Sequence, residues 1–461
     1  MLCVLALTRD VTGQEQPGTR PIAGSEVRPL SLSPSALANT GGTLLLAATD
    51  RRIGYELWKF DRARNATVLI KDIRPGMPGS YPSSMHAIGG TLFFSADDGT
   101  AGSELWRSDG TAAGTYLVKD INPGPASSTP SFLADVNGVL FFTADDGKHG
   151  FELWRSQGSA ESTALVADIN LGPAASAPRY LTRVGGKLFF AATDQAGGTE
   201  LWVSDGTAKG TRRVKDIRRG PEDSSPESLI DVNGTLFFVA NDGTHGFELW
   251  KSDGTESGTV MVKDIYSGVA SARPRYLTNV DGTLFFTAAD DERGVELWKS
   301  DGTDRGTVLV KDINPGRGNS LPNSFANMNG TAYFAATDGV LGAELWKSDG
   351  TESGTVLVKD IHPGAGSSSP GHLTKVGDRI LFSAGDGEHG WELWQSDGSS
   401  AGTVLLKDLR PGKASSYPNR FTQVNDALFF TADDNTGIER LWSIDAAGAV
   451  STVSALRPEP Q

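Results

Sequence analysis

The feature that most constrains this chain is an internal repeat of 48 residues, the spacing from Trp58 to Trp106. A tryptophan recurs at that spacing through nine units, each preceded by a leucine and, except at Arg440, by a glutamate one position further back. The nine are Trp58, Trp106, Trp154, Trp202, Trp250, Trp298, Trp346, Trp394 and Trp442. A proline and an aspartate keep the same register, beginning at Pro34 and Asp50. Nine copies of one structural unit are therefore predicted.

Each unit contains the pattern of four short strands, as residues 226–265 illustrate. Asn233-Gly234 links the first two strands, which suits a tight type I′ turn. The second strand is apolar at consecutive positions, Leu236 to Phe238, as expected of a strand covered on both faces. The fourth, Val260 to Lys263, ends in charge, as an outer strand does. No segment has a sustained helical apolar period, so an all-β sheet running from a buried inner edge outward is expected.

Antiparallel four-stranded sheets repeated every ~40–50 residues are typical of β-propeller blades. We therefore predict a single β-propeller of nine four-stranded antiparallel blades over residues 22–461, after a signal-like segment and linker at 1–21. An eight-bladed ring with an extra terminal unit, two smaller rings and an open solenoid are the alternatives. Against the solenoid, the first and last units keep the full repeat set, whereas solenoids need atypical caps. The predicted blades are 30–77, 78–125, 126–173, 174–221, 222–269, 270–317, 318–365, 366–413 and 414–457.

The chain ends bear on closure of the ring. In units one to eight the fourth strand ends in an aspartate followed four residues later by a glycine, as at Asp120 and Gly124, and both are missing after the ninth unit. We assign the pair to turning the chain from an outer strand into the next inner strand. Residues 22–29 imitate such a fourth strand and crossover, so the N-terminus is expected to pair with the last blade. Whether it replaces or supplements a strand over residues 450–456 is left open.

The composition excludes several functional classes. A formal charge of −14 would repel phosphate backbones and anionic lipid, and no basic patch offsets it. The only cysteine is Cys3, so no disulfide, cysteine zinc site or thiol nucleophile is expected within the propeller. Phosphate loops, paired metal histidines and nucleophile elbows are absent. Residues 1–8 resemble the end of a secretory signal, and no other segment could span a membrane. We expect a non-catalytic, exported monomer.

The segments ELWRSDGTAAGT, ELWKSDGTESGT and ELWKSDGTDRGT resemble the ELWxxDGT repeat family of bacterial secreted and surface proteins. The resemblance covers nearly the whole chain after residue 30. It implies an extracellular or cell-surface location and no established reaction, cofactor or ligand. Units one, three and nine depart from the pattern (ELWKFDRARNAT, ELWRSQGSAEST with Gln157, and RLWSIDAAG), so a site built on the Asp-Gly-Thr loop is not expected there.

Two recurring features are interpreted as structural. The repeat tryptophans could stack on sugars, but a tryptophan in every blade beside a leucine favours core between blades. The aspartates of the Asp-Gly-Thr loops favour turn capping. No cofactor is expected, although weak calcium binding in the acidic loops is left open because each loop supplies too few oxygens for a full cage. These aspartates are Asp109, Asp205, Asp253, Asp301, Asp349 and Asp397.

Ligand-binding candidates are sought on loops, where a rigid scaffold displays function. The residue before each Glu-Leu-Trp run is aromatic in four units, and in one of them it is Trp391, the one tryptophan outside the repeat. An acidic loop lies between the second and third strands of each unit, just before Glu104 and its counterparts. The candidates are Tyr55, Phe151, Phe247, Trp391, Asp97, Asp145 and Asp291. The recurring loop aspartate is interpreted as a backbone cap. His149, His245 and His389 lie on separate blades and are not expected to form one metal site.

The function predicted from these features is an extracellular binding or adhesion scaffold whose near-equivalent loops recognise a polymer, polysaccharide or matrix, by multivalency. A protein–protein platform, using the channel or one face once per ring, is the alternative. A hydrolase is kept as a third possibility.

Overall fold

The computed structural model describes residues 33–49, 52–196 and 198–456. They form nine four-stranded antiparallel blades in a ring, which confirms the nine-bladed β-propeller and excludes the eight-bladed and two-ring alternatives. The described residues contain no helix, and so none that is long and apolar enough to cross a membrane. Residues 1–32, with the predicted signal-like segment and the segment 22–29, lie outside the described residues, as does Asp50.

The strands of blades one to five are β1 (Ser33–Thr40), β2 (Thr43–Thr49), β3 (Glu56–Asp61), β4 (Ala66–Lys71); β5 (Ser83–Ile88), β6 (Thr91–Asp97), β7 (Ser103–Ser108), β8 (Tyr116–Lys119); β9 (Ser131–Val136), β10 (Val139–Asp145), β11 (Phe151–Ser156), β12 (Ala164–Ala167); β13 (Arg179–Val184), β14 (Lys187–Thr193), β15 (Thr199–Ser204), β16 (Arg212–Lys215); β17 (Glu227–Val232), β18 (Thr235–Asn241), β19 (Phe247–Ser252) and β20 (Val260–Lys263). Those of blades six to nine are β21 (Arg275–Val280), β22 (Thr283–Ala289), β23 (Val295–Ser300), β24 (Val308–Lys311); β25 (Asn323–Met328), β26 (Thr331–Thr337), β27 (Ala343–Ser348), β28 (Val356–Lys359); β29 (Gly371–Val376), β30 (Arg379–Gly385), β31 (Trp391–Ser396), β32 (Val404–Lys407); β33 (Asn419–Val424), β34 (Ala427–Asp433), β35 (Glu439–Ile444) and β36 (Val450–Thr452), followed by β37 (Ser454–Leu456).

Each blade keeps its strands in chain order, and the first strands of neighbouring blades lie side by side around the channel. Because consecutive strands are antiparallel, their connections alternate between the two faces of the ring. One face, here called the hairpin face, carries the turns between strands one and two and the loops between strands three and four. The opposite face, here called the crossover face, carries the loops between strands two and three and the crossovers to the next blade.

The core lies between blades, because both surfaces of each sheet are apolar. One cluster packs Phe93 and Leu105 of blade two against Phe142 and Trp154 of blade three. All nine repeat tryptophans lie in such clusters and are at most 8% exposed. An isolated blade would leave two apolar surfaces in water, whereas the ring covers both.

The ring closes where blade nine meets blade one. Leu44 and Trp58 of blade one pack with Phe429 and Leu441 of blade nine, and the rings of Phe60 and Phe429 lie 4.7 Å apart. Side-chain amides also bond across this seam: Asn39 Nδ2 donates to the Gln423 carbonyl at 2.8 Å, and Asn425 Nδ2 to the Gly42 carbonyl at 2.9 Å. The apolar core therefore continues across the seam.

The segment 450–456 differs from the single strand that was expected there. It forms two strands separated at Val453, whose N–H donates to the Leu441 carbonyl at 2.9 Å. The first, β36, is the outer strand of blade nine, and the second, β37, pairs parallel with β4 of blade one. The end of the described chain thus spans the seam and makes blade one five-stranded.

Side chains within the Asp-Gly-Thr loops hold these loops in place, in keeping with turn capping. In blade two, Asp109 Oδ1 accepts hydrogen bonds from the Thr111 N–H at 2.9 Å and the Thr111 hydroxyl at 2.7 Å. Gly114 lies against the Asp109 carboxylate, leaving no room for a β-carbon. Blade three lacks that carboxylate, because Gln157 replaces the aspartate, and there Ser162 replaces the glycine and accepts from the Gln157 N–H at 3.2 Å. The two departures of unit three compensate each other.

This compensation predicts a strong coupling in blade five. Gly258→Ser should lower the free energy of unfolding by about 1–3 kcal/mol, because its β-carbon would meet the Asp253 carboxylate. Adding Asp253→Gln should recover about 1 kcal/mol or more of that loss, since it reproduces the pair found in blade three. Urea denaturation of the two single variants and the double variant measures the coupling. Strictly additive effects would contradict the interpretation.

Candidate functional site

The crossover face is organised by a buried glutamate in the third strand of blades one to eight. Glu104 is fully buried, and its carboxylate accepts hydrogen bonds from the N–H groups of Ile121 and Ser128, each at 2.8 Å, and from the Ser128 hydroxyl at 2.6 Å. The donors belong to the crossover that leads into the next blade. The glutamates with 0% exposure at this position are Glu56, Glu104, Glu152, Glu200, Glu248, Glu296, Glu344 and Glu392. Glu104 is therefore not part of an exposed acidic surface, contrary to its placement with the acidic loop.

The exception at Arg440 has a structural explanation. Within the described residues, the chain leaving blade nine pairs with β4 of blade one instead of crossing to a new inner strand, so no crossover there needs a carboxylate at this position. Arg440 instead pairs with Asp434 of the neighbouring loop. The glutamate is thus present where a crossover follows and absent where none does.

The aspartate and glycine assigned to the crossover turn interact directly. Asp120 Oδ2 accepts a hydrogen bond from the Gly124 N–H at 3.1 Å, and Gly124 has a φ of 100°, which favours glycine. The same bond occurs between Asp168 and Gly172 at 3.1 Å. Together with the glutamate, this bond fixes where the chain enters the next inner strand.

Burial has an electrostatic consequence for these glutamates. Loss of solvent raises the pKa of Glu248 and of Glu296 to about 7. Glu248 lacks the hydroxyl partner found in other blades, because Ala272 takes the place of the serine. Both carboxyl groups therefore titrate near neutral pH, inside the framework of the ring.

The aromatic candidates lie on the crossover face, at the start of the third strand. Trp391 is 36% exposed and its ring stacks at 6.2 Å and 19° on that of Tyr417. The rings of Tyr55 and Tyr81 are 5.8 Å apart. In both cases the backbone carbonyl of the first residue accepts the N–H of the second, at 3.1 Å and 3.0 Å. Two candidates are therefore joined to an aromatic residue of the next blade that the sequence analysis did not select.

The other two aromatic candidates have different partners. Phe151 and Phe247 are half-buried, and their carbonyls accept the N–H groups of Ala177 at 2.9 Å and Arg273 at 3.1 Å. The four candidates thus occupy one repeat position but do not present equal surfaces.

The acidic candidates are less alike than their sequence suggests. Asp97 Oδ1 accepts the Gly99 N–H at 2.6 Å while Oδ2 pairs with Arg74, and Asp145 Oδ1 accepts the Gly147 N–H at 2.7 Å. Asp291 is exposed and occupies the repeat position of Gly99, two residues beyond the position of Asp97 and Asp145. The structure therefore does not place these three carboxylates at equivalent positions.

The three histidines remain local to their own loops. His149, His245 and His389 pair through Nδ1 with Asp146, Asp242 and Asp386 at 2.9, 2.7 and 2.8 Å. These hydrogen bonds raise the pKa of each histidine. Among the residues that the structure describes, no three His, Cys, Asp or Glu side chains are grouped as metal ligands.

A set of exposed aromatic residues that was not predicted from the sequence lies where the crossovers enter the inner strands. In blades two to nine, the residue before the repeat proline and a bulge residue in the first strand both have positive φ, although none is glycine. The bulge arises because one more residue of the first strand than of the second lies between ladder pairs, as between Ser83 and His86. The exposed aromatics at these positions are Tyr81, Phe132, Tyr180, Tyr276 and Tyr417, which with Trp391 we call the aromatic rim.

The backbone of the aromatic rim is held in an unfavourable conformation. Phe132, Tyr180 and Tyr276 have φ of 51°, 57° and 54°, which costs roughly 1–2 kcal/mol for a residue with a side chain. Their side chains remain 50%, 41% and 54% exposed, so packing does not offset that cost. The same positive φ occurs at Ser228 and His372, so the strained backbone belongs to the repeat, and the exposed aromatic side chains are what distinguish these blades. The available clue was variation: serine, phenylalanine, tyrosine, histidine and arginine alternate at the bulge position of an otherwise strict repeat.

Two cavities accompany these surfaces. On the hairpin face, a cavity of about 490 Å³ lies at the seam. At the first junction Lys59 Nζ donates to the Gly110 carbonyl at 2.9 Å, whereas Ser443 occupies the lysine position at the seam and cannot reach across. On the crossover face, a cavity of about 430 Å³ lies between blades six and seven. Both occur where a blade departs from the repeat.

Comparisons with known proteins find similarity among solved structures alone. No family model matches the chain, and no curated protein matches it. Among solved structures it is similar to the computationally designed Ika8 protein (16% identity, TM-score 0.44, covering 79% of this chain and 96% of that one). It is also similar to the propeller domain of the Trilobed protease from Pyrococcus furiosus (12%, 0.35, 70% and 96%) and to puromycin hydrolase (16%, 0.38, 79% and 58%). The chain thus matches just over half of puromycin hydrolase.

The raised glutamate pKa values predict a stability optimum on the acid side of neutrality. A carboxyl whose pKa rises from 4.5 to about 7 on folding binds more protons in the folded chain, so its contribution to stability is lost as pH rises through 7. The melting temperature should fall between about pH 5 and about pH 8.

The histidine pairs act in the same direction, because their raised pKa values also favour the folded protein at lower pH. A variant in which His149, His245 and His389 carry alanine, the residue of blade two at this position, separates the two contributions. The fall should persist in this variant. A melting temperature that rises towards pH 8 would contradict the assignment.

Proposed function

We propose that the protein is a non-catalytic binding scaffold that holds an extended ligand, a polysaccharide or matrix polymer, on the aromatic rim. The observation that carries this proposal is that six exposed aromatic side chains share one face of the ring. Their flat apolar surfaces with a polar edge suit the faces of sugar rings, and loops on one face of a rigid scaffold commonly carry binding sites.

The arrangement of the rim favours a polymer over a small ligand. Its members belong to blades two, three, four, six, eight and nine, so they surround the channel rather than line one pocket. A long chain can contact several of them at once, and each further contact then forms at high effective concentration. Weak individual contacts therefore suffice for strong attachment.

The state of the titratable groups supports a non-catalytic role. The glutamates of the crossover face are buried and hydrogen-bonded to crossovers, the loop aspartates cap turns, and the histidines pair with aspartates. A general acid or base must be within reach of a substrate, and these groups are committed to the framework. The proposal also places the protein outside the cell or at its surface, on the strength of the repeat resemblance.

The cavity at the seam favours a second candidate, a platform that docks one protein partner. It occurs once per ring and is lined by apolar Phe60 and Phe429 together with the ion pair between Arg62 and Asp426. Stoichiometry separates the two functions, because the rim would contact a polymer at several blades while the seam would hold one partner.

The rim predicts which substitutions weaken binding. Replacing Tyr81, Phe132 and Tyr180 together by serine, which other blades carry at the same positions, should lower the apparent affinity for the polymer about tenfold or more. The melting temperature should change little, because serine already adopts positive φ there, as at Ser225 and Ser228.

Biolayer interferometry on immobilised polysaccharides, with wild type and variant at equal concentration, measures this effect. The control is Tyr116→Val, which removes an equally exposed tyrosine from an outer strand and inserts the residue that Val260 provides in blade five. Equal affinity for the polymer and its monomer, or equal loss in the control, would refute the proposal.

A further inference from the structure

We infer that the cavity between blades six and seven on the crossover face is a subsite for a sugar unit that carries an anionic group. In this assignment Arg273 and Arg275 bind the anion and Tyr276 stacks on the sugar ring. The inference rests on the proposed glycan-binding function and adds to it one site with a defined chemistry.

The geometry of blade six brings the three side chains to one wall of the cavity. Arg273 precedes Pro274, Arg275 begins β21, and Tyr276 is the bulge residue. Arg273 and Tyr276 have positive φ, at 48° and 54°. All three line a cavity of about 430 Å³, a size within the usual range of small-molecule sites.

The opposite wall belongs to blade seven and is mainly apolar. Leu321 is 55% exposed and lies beside Pro322, and Asn323 Nδ2 at the edge donates to the Leu321 carbonyl at 2.9 Å. Aliphatic carbons on one side and a tyrosine ring on the other match the two faces of a pyranose ring. The walls therefore favour a sugar over a bare inorganic anion.

The charge of the cavity is unusual for this protein. Within the described residues, neither Arg273 nor Arg275 forms an ion pair or donates a side-chain hydrogen bond, and both are exposed. Guanidinium groups suit carboxylate or sulfate because they offer paired donors in one plane. The net charge of −14 acts at longer range and is largely screened beyond about 8 Å at physiological ionic strength.

The repeat shows that this combination belongs to blade six. At the position of Arg273, the other described blades have no cation; they carry Ser33, Tyr81, Thr129, Ala177, Ser225, Leu321, Ser369 and Tyr417. Blade four has Arg179 and Tyr180 at the other two positions but Ala177 at the first. Blade six therefore differs from blade four by one cation and supplies an internal comparison.

Phe247, predicted from the sequence as a ligand contact, lies beside this cavity in the chain's backbone bonding. Its carbonyl accepts the Arg273 N–H at 3.1 Å, and its own N–H donates to the Ser271 hydroxyl at 3.0 Å. Both bonds are made by the backbone of residue 247, and they hold the segment that carries Arg273.

The test is isothermal titration calorimetry of the full chain with short oligosaccharides of three kinds: an oligouronate, a sulfated oligosaccharide and a neutral one. We expect one anionic oligosaccharide per ring and no comparable heat from the neutral one. The variant Arg273→Ser/Arg275→Ser/Tyr276→Ser uses residues found at these positions in other blades, so it should fold, and it should bind at least about tenfold more weakly.

The matched control is Tyr116→Val/Arg212→Val, which removes a tyrosine and an arginine from outer strands, inserts the valine that blade five carries at that position, and should leave binding of the oligosaccharide unchanged. The preference between oligouronate and sulfated oligosaccharide identifies the anion, and either result supports the subsite. Equal binding of the neutral oligosaccharide, or no loss in the blade six variant, would overturn it.

The same measurements separate this inference from the proposed function. A neutral polymer bound through the rim, with no response to anionic oligosaccharides, would refute the subsite and leave the scaffold function intact. An anionic oligosaccharide bound once, with no gain for its polymer, would support the subsite and refute multivalent attachment. Absence of any glycan binding would refute both.

Discussion

The interaction on which the rest of the structure depends is the hydrogen bonding of a buried glutamate to the crossover that leaves its blade. A carboxylate with no solvent exposure is costly to fold unless donors surround it, and three groups of the crossover supply them at Glu104. Because Ile121 lies at the start of the crossover and Ser128 near its end, the bonds set where each blade begins relative to the last. Apolar packing between blades contributes more to the free energy of folding, but it is non-directional and does not by itself set the position of one blade relative to the next.

The same bonds place the aromatic rim. Ser80 and Tyr81 both donate their N–H groups to the Tyr55 carbonyl, and Ser80 also bonds to Glu56. The segment before each inner strand is therefore hydrogen-bonded to the preceding blade. These bonds let bulky residues keep positive φ while their side chains face solvent. The backbone hydrogen bonds recur from blade to blade, whereas the exposed side chains before the inner strands vary. The same repeat therefore places different side chains around the ring.

Much of the fold could be predicted because the residues that determine it recur at fixed positions in each repeat unit. The spacing of tryptophans gave the number of blades, the Asn-Gly turn gave the hairpin, and the loss of Asp and Gly after unit nine marked the last crossover. The division of the final strand at Val453 could not be predicted, because β37 pairs with β4 from the opposite end of the chain. Such long-range pairing leaves no periodic trace in the sequence.

The candidate site was predicted only in part, for physical reasons. The aromatic position of Tyr55 and Trp391 was visible as variation beside a strict motif, but their partners Tyr81 and Tyr417 became apparent only through the crossover geometry. Glu104 was grouped with loop acids because sequence alone does not report burial. Its absence at Arg440, in the one unit without a crossover, was the available sign of its role.

Amide hydrogen exchange at the crossovers can show whether the buried glutamates hold them in place. The N–H groups of Ile121 and Ser128, and their counterparts in the other crossovers, lie in connections that would exchange quickly if the glutamate bonds were absent. If the glutamate bonds persist in solution, we expect these N–H groups to exchange as slowly as the amides of the buried second strands. Exchange at the rate of exposed loop amides would show that the blades are held by apolar packing alone and would contradict this expectation.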